Sequence, residues 1–209
     1  VKLYDKLFAA LYDRTLAPTE EADLARRRQE LVGTASGAVL EIGAGTGLNL
    51  AHYPEHLTSL TLTEPSAAMA AHLRGRAKAL GRPVEIVDAG AEALPFDDDS
   101  FDTVVGTLVL CTVDDLAATI AEIKRVLKPD GSLLLIEHVR SDDPDRAKWQ
   151  DRLETPWRIF GNGCRCNRET EVALQTGGFE FADIEHAKLR KAPPLVRPLI
   201  QGRAVLSAP

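Results

Sequence analysis

The chain has 209 residues, 44% of them hydrophobic and 27% charged, a globular composition with enough chain for one sizeable core and unlike that of a disordered protein. Its net charge of −6 argues against a general polyanion binder, so no nucleic-acid partner is expected. No apolar run approaches the ~20 residues that span a bilayer, no signal-length apolar stretch opens the chain, and three cysteines make no disulfide framework, so a cytoplasmic protein without an integral membrane segment is expected.

The first stretch, Val1 to Asp13, places Tyr4, Leu7, Phe8, Leu11 and Tyr12 on one helical face. A second helix is expected after Pro18, through Glu20, Glu21 and the bases at 26–28, with acids preceding bases as the helix dipole prefers. Residues 38–42 form a short apolar strand that runs into Gly43-Ala44-Gly45-Thr46-Gly47, with a helix opening near Leu48. A second strand is expected over 57–63, then a helix over 66–80 capped by Ser66 and ended by Gly81. Strands at 84–88 and 101–107 follow, then an amphipathic helix over 114–127 with Leu116, Ile120, Ile123 and Leu127 on one face. Pro129-Asp130-Gly131 reads as a turn into a fifth strand at 132–137. Beyond it lie helices at 145–160 and 168–176, closing strands at 179–187 and 200–207, and a loop holding Pro193, Pro194 and Pro198. Strands alternating with helices predict an α/β fold, a doubly wound and mainly parallel sheet of seven strands.

In such a sheet, ligands bind outside the carboxyl ends of the strands. Glycines at 43, 45 and 47 let the first loop turn tightly and approach a ligand, more than an ordinary strand-to-helix turn requires. The third glycine of a dinucleotide fingerprint would fall on Leu48, and a phosphate-binding loop would need a lysine where Leu48 stands. Glu41 before the loop, with no lysine nearby, suits a cationic ligand. Glu64, at the end of the second strand, lies near the ~20-residue spacing of a ribose-binding carboxylate, although a lone acid at a strand end is commonly just solvated. A third loop on the same edge, Gly90 to Phe96, offers backbone groups to an adenine ring.

These residues resemble class I S-adenosylmethionine-dependent methyltransferases. Residues 41–47 resemble that superfamily's nucleoside-binding motif and Glu64 its ribose acid. Ala91-Glu92-Ala93-Leu94-Pro95-Phe96, Ser100-Phe101-Asp102 and the 125–131 turn resemble its ubiquinone/menaquinone-type members. Many such members carry an acid where this chain has Gly90, so the adenine contact would pass to Glu92 or the Ala91 backbone. Residues 107–113, Glu137-His138-Val139, Trp149, Gln150, Pro156, Trp157, Gly163-Cys164, Arg168-Glu169-Thr170 and 196–198 are similar to the methyltransferase-like group whose animal members are alkyl-thiol S-methyltransferases. Those members carry an N-terminal membrane segment, whereas this chain begins at its first amphipathic helix.

The resemblance implies a single class I methyltransferase domain, with a helical lid over 1–34, a cofactor-binding core over 37–140 and a substrate-side insert with closing strands over 141–209. It implies S-adenosylmethionine as cofactor, held by Glu41, Gly43, Ala44, Gly45, Thr46, Gly47, Asn49, Glu64, Pro65, Gly90, Ala91, Glu92, Thr107 and Leu108. It also implies a small-molecule methyl acceptor, a thiol first, with a quinone carbon or phospholipid amine as alternatives. A non-catalytic nucleoside-binding module is the reading from another class. His138, at the end of the fifth strand, is the candidate general base, with an unperturbed pKa of ~6.5; it could instead hold a backbone carbonyl or line the substrate wall. Glu137 should face the other way. Cys111 reads as a small buried residue, and Cys164 and Cys166 do not complete a metal site. Tyr4 or Tyr12 is expected to line the pocket, and Trp149, Trp157 and Phe160 to form an apolar substrate wall.

Overall fold

The computed structural model describes residues 3–207. Val1, where the first helix was expected to start, lies outside them. Helix α1 (Leu3–Thr19) does not stop at Pro18 but runs through it into a π turn (Glu20–Leu24) and then α2 (Ala25–Val32). Pro18 lacks an N–H and so breaks the regular ladder; the widened turn that follows lets the helix continue rather than restart. Arg27 and Arg28 on α2 are buried because acids meet them. Arg27 donates to Asp23 and to the Gln201 side-chain oxygen, each at 3.0 Å, and Arg28 to Glu20 at 3.0 Å.

The sheet contains β1 (Ala38–Ile42), β2 (Ser59–Thr63), β3 (Glu85–Val87), β4 (Phe101–Thr107), β5 (Leu127–His138), β6 (Phe179–Lys188) and β7 (Pro198–Leu206). Their order is β3-β2-β1-β4-β5-β7-β6; the first five are parallel, and β7 runs antiparallel to both its neighbours. Strand β5 reaches back over the expected turn at 129–131 through a register shift opposite Phe101–Thr103. The expected helix at Leu48 is a single 3-10 turn (Leu48–Ala51), since Tyr53 precedes Pro54 and a residue before proline disfavours helix.

The remaining helices are α3 (Ala67–Leu80), α4 (Leu116–Val126), α5 (Pro144–Phe160) and α6 (Thr170–Thr176). Ser66, Asp115 and Asp143 cap α3, α4 and α5 with their side-chain oxygens. Strand alternation divides the core into two layers. Leu134 and Ile136 pack under Leu24, Leu50, Leu62 and Leu73, while Leu133 and Leu135 pack against Leu40, Ile120, Ile123 and Phe179. The carboxyl ends of β1, β2, β4 and β5 therefore share one edge, and α1 lies across it.

Candidate active site

Two glycines of the first loop do different work. Gly43 has φ +58°, and a Cβ there would lie 2.3 Å from a methyl of Val109. Gly45 has φ +59°, and a Cβ there would meet nothing within 4 Å, because it would project into open space. That space is a cavity of about 440 Å³ bordered by Gly43, Gly45, Glu64, Pro65, Gly90, Ala91, Glu92 and Leu108. Tyr12 and Phe8 from α1 close it on one side, and Thr112 and Gly161 on another.

Glu64 sits at the loop's turning point. One carboxylate oxygen accepts the Gly45 N–H and the other the Ser66 N–H, both at 2.8 Å. Each oxygen keeps a further lone pair, and the carboxylate is 7% exposed, on the cavity wall. Burial pushes its pKa up while the two N–H donors oppose that shift. The charged side chains on this wall are Glu64, Glu92 and Asp114, all acids. That donor set fits a nucleoside that offers hydroxyls to Glu64 and carries a positive charge, and it would repel a phosphate.

Not every expected cofactor residue faces this cavity. Glu41, Ala44, Thr46 and Thr107 border a side pocket of about 40 Å³ that adjoins Gly43 and Gly45. Glu41 accepts from Asn49 at 2.8 Å and from the Tyr53 hydroxyl at 2.7 Å, and burial lifts its pKa to about 7. Asn49 borders neither space. Its amide donates to Glu41 and Thr107, and its oxygen accepts from Arg28 at 2.7 Å, so it braces the loop from behind. Gly47 likewise faces Leu73 and Leu50. Asn49 lies in the 3-10 turn that stands in place of the expected helix, with Gly47 at its N-cap. Thr46 donates to Asp13 at 2.6 Å, and Asp13 also accepts from Arg76 at 2.6 Å, which ties α1 to the glycine loop.

A second chamber, about 200 Å³, adjoins the first and shares Phe8, Tyr12, Leu108, Thr112 and Gly161 with it. Its further walls are largely apolar, from Leu16, Trp157, Phe160, Leu189, Ala192 and Val196, with Cys111, Cys164 and His138 among them. Leu108, at the junction, holds φ +55°, a conformation that costs a non-glycine residue roughly 1–2 kcal/mol, and its N–H is pinned to the Ile136 carbonyl at 2.8 Å. Arg168 donates to the Leu110 and Val113 carbonyls, and Glu137 accepts the N–H groups of Val109, Leu110 and Cys111, so the whole 108–113 segment is clamped. Glu137 does point away from the chamber.

His138 is 8% exposed. Its ring hydrogen-bonds to the Val196 backbone, while Nδ1 is buried with no partner among the described residues. The Nδ1 atom is thus enclosed by protein, and an acceptor in the chamber would meet the part of the ring that borders it. Desolvation pushes the pKa down to about 4, well below the ordinary value assumed from sequence, so the imidazole is neutral throughout the physiological range.

Of the aromatic residues expected at the pocket, Tyr12, Trp157 and Phe160 border it. Tyr4 instead donates to the Ile159 and Phe160 carbonyls at 2.9 and 3.1 Å, and Trp149 is exposed beneath the Arg152 guanidinium. Phe8, Thr112, Gly161 and the clamp residues Glu137 and Arg168 were given no part in the pocket from sequence, although Thr112, Glu137 and Arg168 stand among the residues that carry the family resemblance. A buried acid directly after the apolar run 133–136 was the one local signal for Glu137. Among the described residues, no three metal-ligating side chains converge.

Residues 40–135 match the family described as a methyltransferase domain. The human thiol S-methyltransferase TMT1A is 31% identical over 204 residues, covering 95% of this chain and 82% of that protein. The rat thiol S-methyltransferase TMT1B is 33% identical over 211 residues, covering 95% and 84%. A solved S-adenosylmethionine-dependent methyltransferase from Thermotoga maritima superposes with a TM-score of 0.69 at 21% identity, covering 96% of each chain.

Proposed function

From the premise that this chain belongs to the class I S-adenosylmethionine-dependent methyltransferases and is an enzyme of that family, we propose that it methylates the sulfur of a small, largely apolar thiol. The observation that carries this reading is the second chamber. It is apolar, it adjoins the cavity proposed for the cofactor, and the His138 imidazole lies on its wall. Thr15 and Thr112 donate their hydroxyl protons to the Tyr12 and Val109 carbonyls. An S–H is a weak donor that costs little to bury, whereas an ammonium or carboxylate would need several partners there. The thiol-specific names of the relatives point the same way.

Glu64 is assigned to the ribose hydroxyls, the Gly90–Glu92 backbone to the adenine, and the Gly43–Gly45 turn to the rest of the nucleoside. Bound S-adenosylmethionine supplies a methyl group on a positively charged sulfur. The residues shared by the two chambers, Leu108 and Thr112 above all, hold the acceptor against that methyl group. Such positioning can supply roughly 7–11 kcal/mol of a bimolecular barrier. The neutral His138 imidazole on the chamber wall accepts the S–H hydrogen bond and then the proton. A base with a pKa of about 4 is weak against a free thiol of ~8.5 but adequate once the sulfur carries a methyl group, because a protonated thioether is a strong acid.

The deciding experiment is an acceptor panel of aliphatic thiols, aromatic thiols, phenols, amines, quinols and phospholipids. Methyl transfer to thiols is expected. Turnover confined to phenol, quinol or lipid would reject the thiol assignment, and no turnover with cofactor bound would leave a nucleoside-binding module. Glu64→Ala is expected to weaken cofactor binding about ten- to a hundredfold, the ~1.5–3 kcal/mol of a charge-assisted hydrogen bond, with the far-ultraviolet spectrum unchanged. Calorimetry with S-adenosylhomocysteine measures it, and an unaltered Kd would remove Glu64 from the ribose.

A further inference from the structure

Methyl transfer uses neither of the two thiols on the acceptor chamber. Cys111 follows β4 and Cys164 follows α5, yet the Arg165 N–H donates to the Cys111 carbonyl at 2.8 Å and sets the two segments side by side. Both side chains are buried, both border the chamber, and the two thiols are in hydrogen-bonding contact without being joined. The Trp157 indole borders the same wall, with its buried N–H unpartnered among the described residues. The contact with Cys111 holds the Cys164 thiol below its ordinary pKa, while the same contact and burial push Cys111 well up. Cys164 is also the less buried of the two, 7% exposed against 1%, so it meets an entering disulfide first with Cys111 behind it.

We propose that Cys111 and Cys164 form a redox-active dithiol that reduces small organic disulfides entering the acceptor chamber, so that the oxidised form of a thiol substrate is also turned into substrate. This deepens the thiol reading of the chamber and rests on it. The Cys164 thiolate attacks one sulfur of R–S–S–R. The S–S bond breaks, a Cys164–S–S–R mixed disulfide forms, and RS⁻ leaves with the proton that Cys164 released. Cys111 then loses its proton and attacks the Cys164 sulfur, expelling the second RS⁻, which takes that proton. Two electrons pass from the cysteine pair to the organic disulfide, giving two RSH and a Cys111–Cys164 disulfide. An external dithiol restores the reduced pair.

The test uses the full chain, reduced and freed of reductant, mixed with 2-hydroxyethyl disulfide in the absence of S-adenosylmethionine. About two thiols released per chain are expected, with a Cys111–Cys164 link in a non-reducing peptide map. Cys164→Ser should abolish release. Cys111→Ser should release about one thiol and retain the other half of the disulfide on Cys164. Cys166→Ala, whose sulfur packs against the Gln150 carbonyl, should behave as wild type. No release by wild type, release that survives Cys164→Ser, or a link mapped to Cys166 would overturn the proposal. Should a serine variant fail to fold, the wild-type peptide map decides alone. Methylation assayed separately under a phosphine reductant keeps the two readings apart. Thiol methylation without disulfide reduction overturns the dithiol alone, and reduction without thiol methylation overturns the thiol reading alone.

Discussion

Gly45→Val is expected to abolish cofactor binding while the protein remains folded. The added side chain would project into the open cavity and meet no protein atom within 4 Å, so the core loses nothing. The φ of +59° makes any L-residue there strained by roughly 1–2 kcal/mol, a cost a folded domain of this size tolerates. Two methyl groups standing where the nucleoside must lie leave no room for it, a loss beyond about 2.8 kcal/mol or 100-fold in Kd. Gly43→Val should behave in the opposite way. Its Cβ would overlap Val109 at 2.3 Å, within the clamped 108–113 segment, so stability falls by the strain plus roughly 1–3 kcal/mol of overpacking. Thermal melts and calorimetry with S-adenosylhomocysteine on both variants separate the effects. A Gly45→Val protein that binds normally would remove this loop from the cofactor site.

His138→Ala is expected to lower thiol methylation by about 10²–10⁴ near neutral pH, because the imidazole is then missing as proton acceptor. The deficit should shrink as pH rises through the acceptor's own thiol pKa, since the substrate then arrives as thiolate and needs no base. It should shrink likewise for acceptors of lower thiol pKa at fixed pH. A loss of the same factor at every pH, tracking acceptor shape, would make His138 a wall residue only. The folded-state pKa of about 4 also locates the acid limb in wild type. His138 must be neutral to accept a proton, so its own protonation leaves activity untouched down to about pH 5. An acid limb near 6.5 that disappears in the alanine variant would contradict the buried geometry.

The same shift has a stability consequence of definite sign. Between pH 6.5 and 4 the unfolded chain binds a proton at His138 that the folded chain does not. The contribution is therefore complete above 6.5 and is lost as pH falls towards 4. Glu41 and Glu137, both raised to about 7 by burial, act in the opposite direction. Their contribution is complete below 4.5 and is lost as pH rises through 7. His138→Ala should accordingly lose less stability than wild type on acidification from pH 6.5 to 4, measured by urea unfolding at each pH.

Much of the fold and the position of the cavity proposed for the cofactor could be read from local signals. The alternation of apolar runs with capped helices predicts the parallel sheet, and glycines at 43 and 45 followed by an acid at 64 mark its ligand edge. Those features are encoded within a few residues of each other, in strand periodicity, caps and positive-φ positions, and so survive in one dimension. What lay beyond reach depends on which residues meet across the chain. Glu41 and Asn49 belong to a motif that seemed to face the ligand, but Asn49, on the 3-10 turn, borders neither cavity and bonds Glu41, Thr107 and Arg28, while Glu41 reaches only the small side pocket and is held by Asn49 and Tyr53. Pro18 suggested a helix start, and only the packing of α1 over the sheet edge, with Arg27 and Arg28 paired beneath it, favours continuation through a π turn. The type of residue 138 was plain from sequence, but its depressed pKa comes from burial among residues that include Val196, nearly sixty residues downstream. Cys111 and Cys164 each looked inert alone. Their contact exists because the segment after α5 hydrogen-bonds to the loop after β4, and long-range pairing of that kind is decided by tertiary packing, where burial and partner geometry outweigh any local propensity.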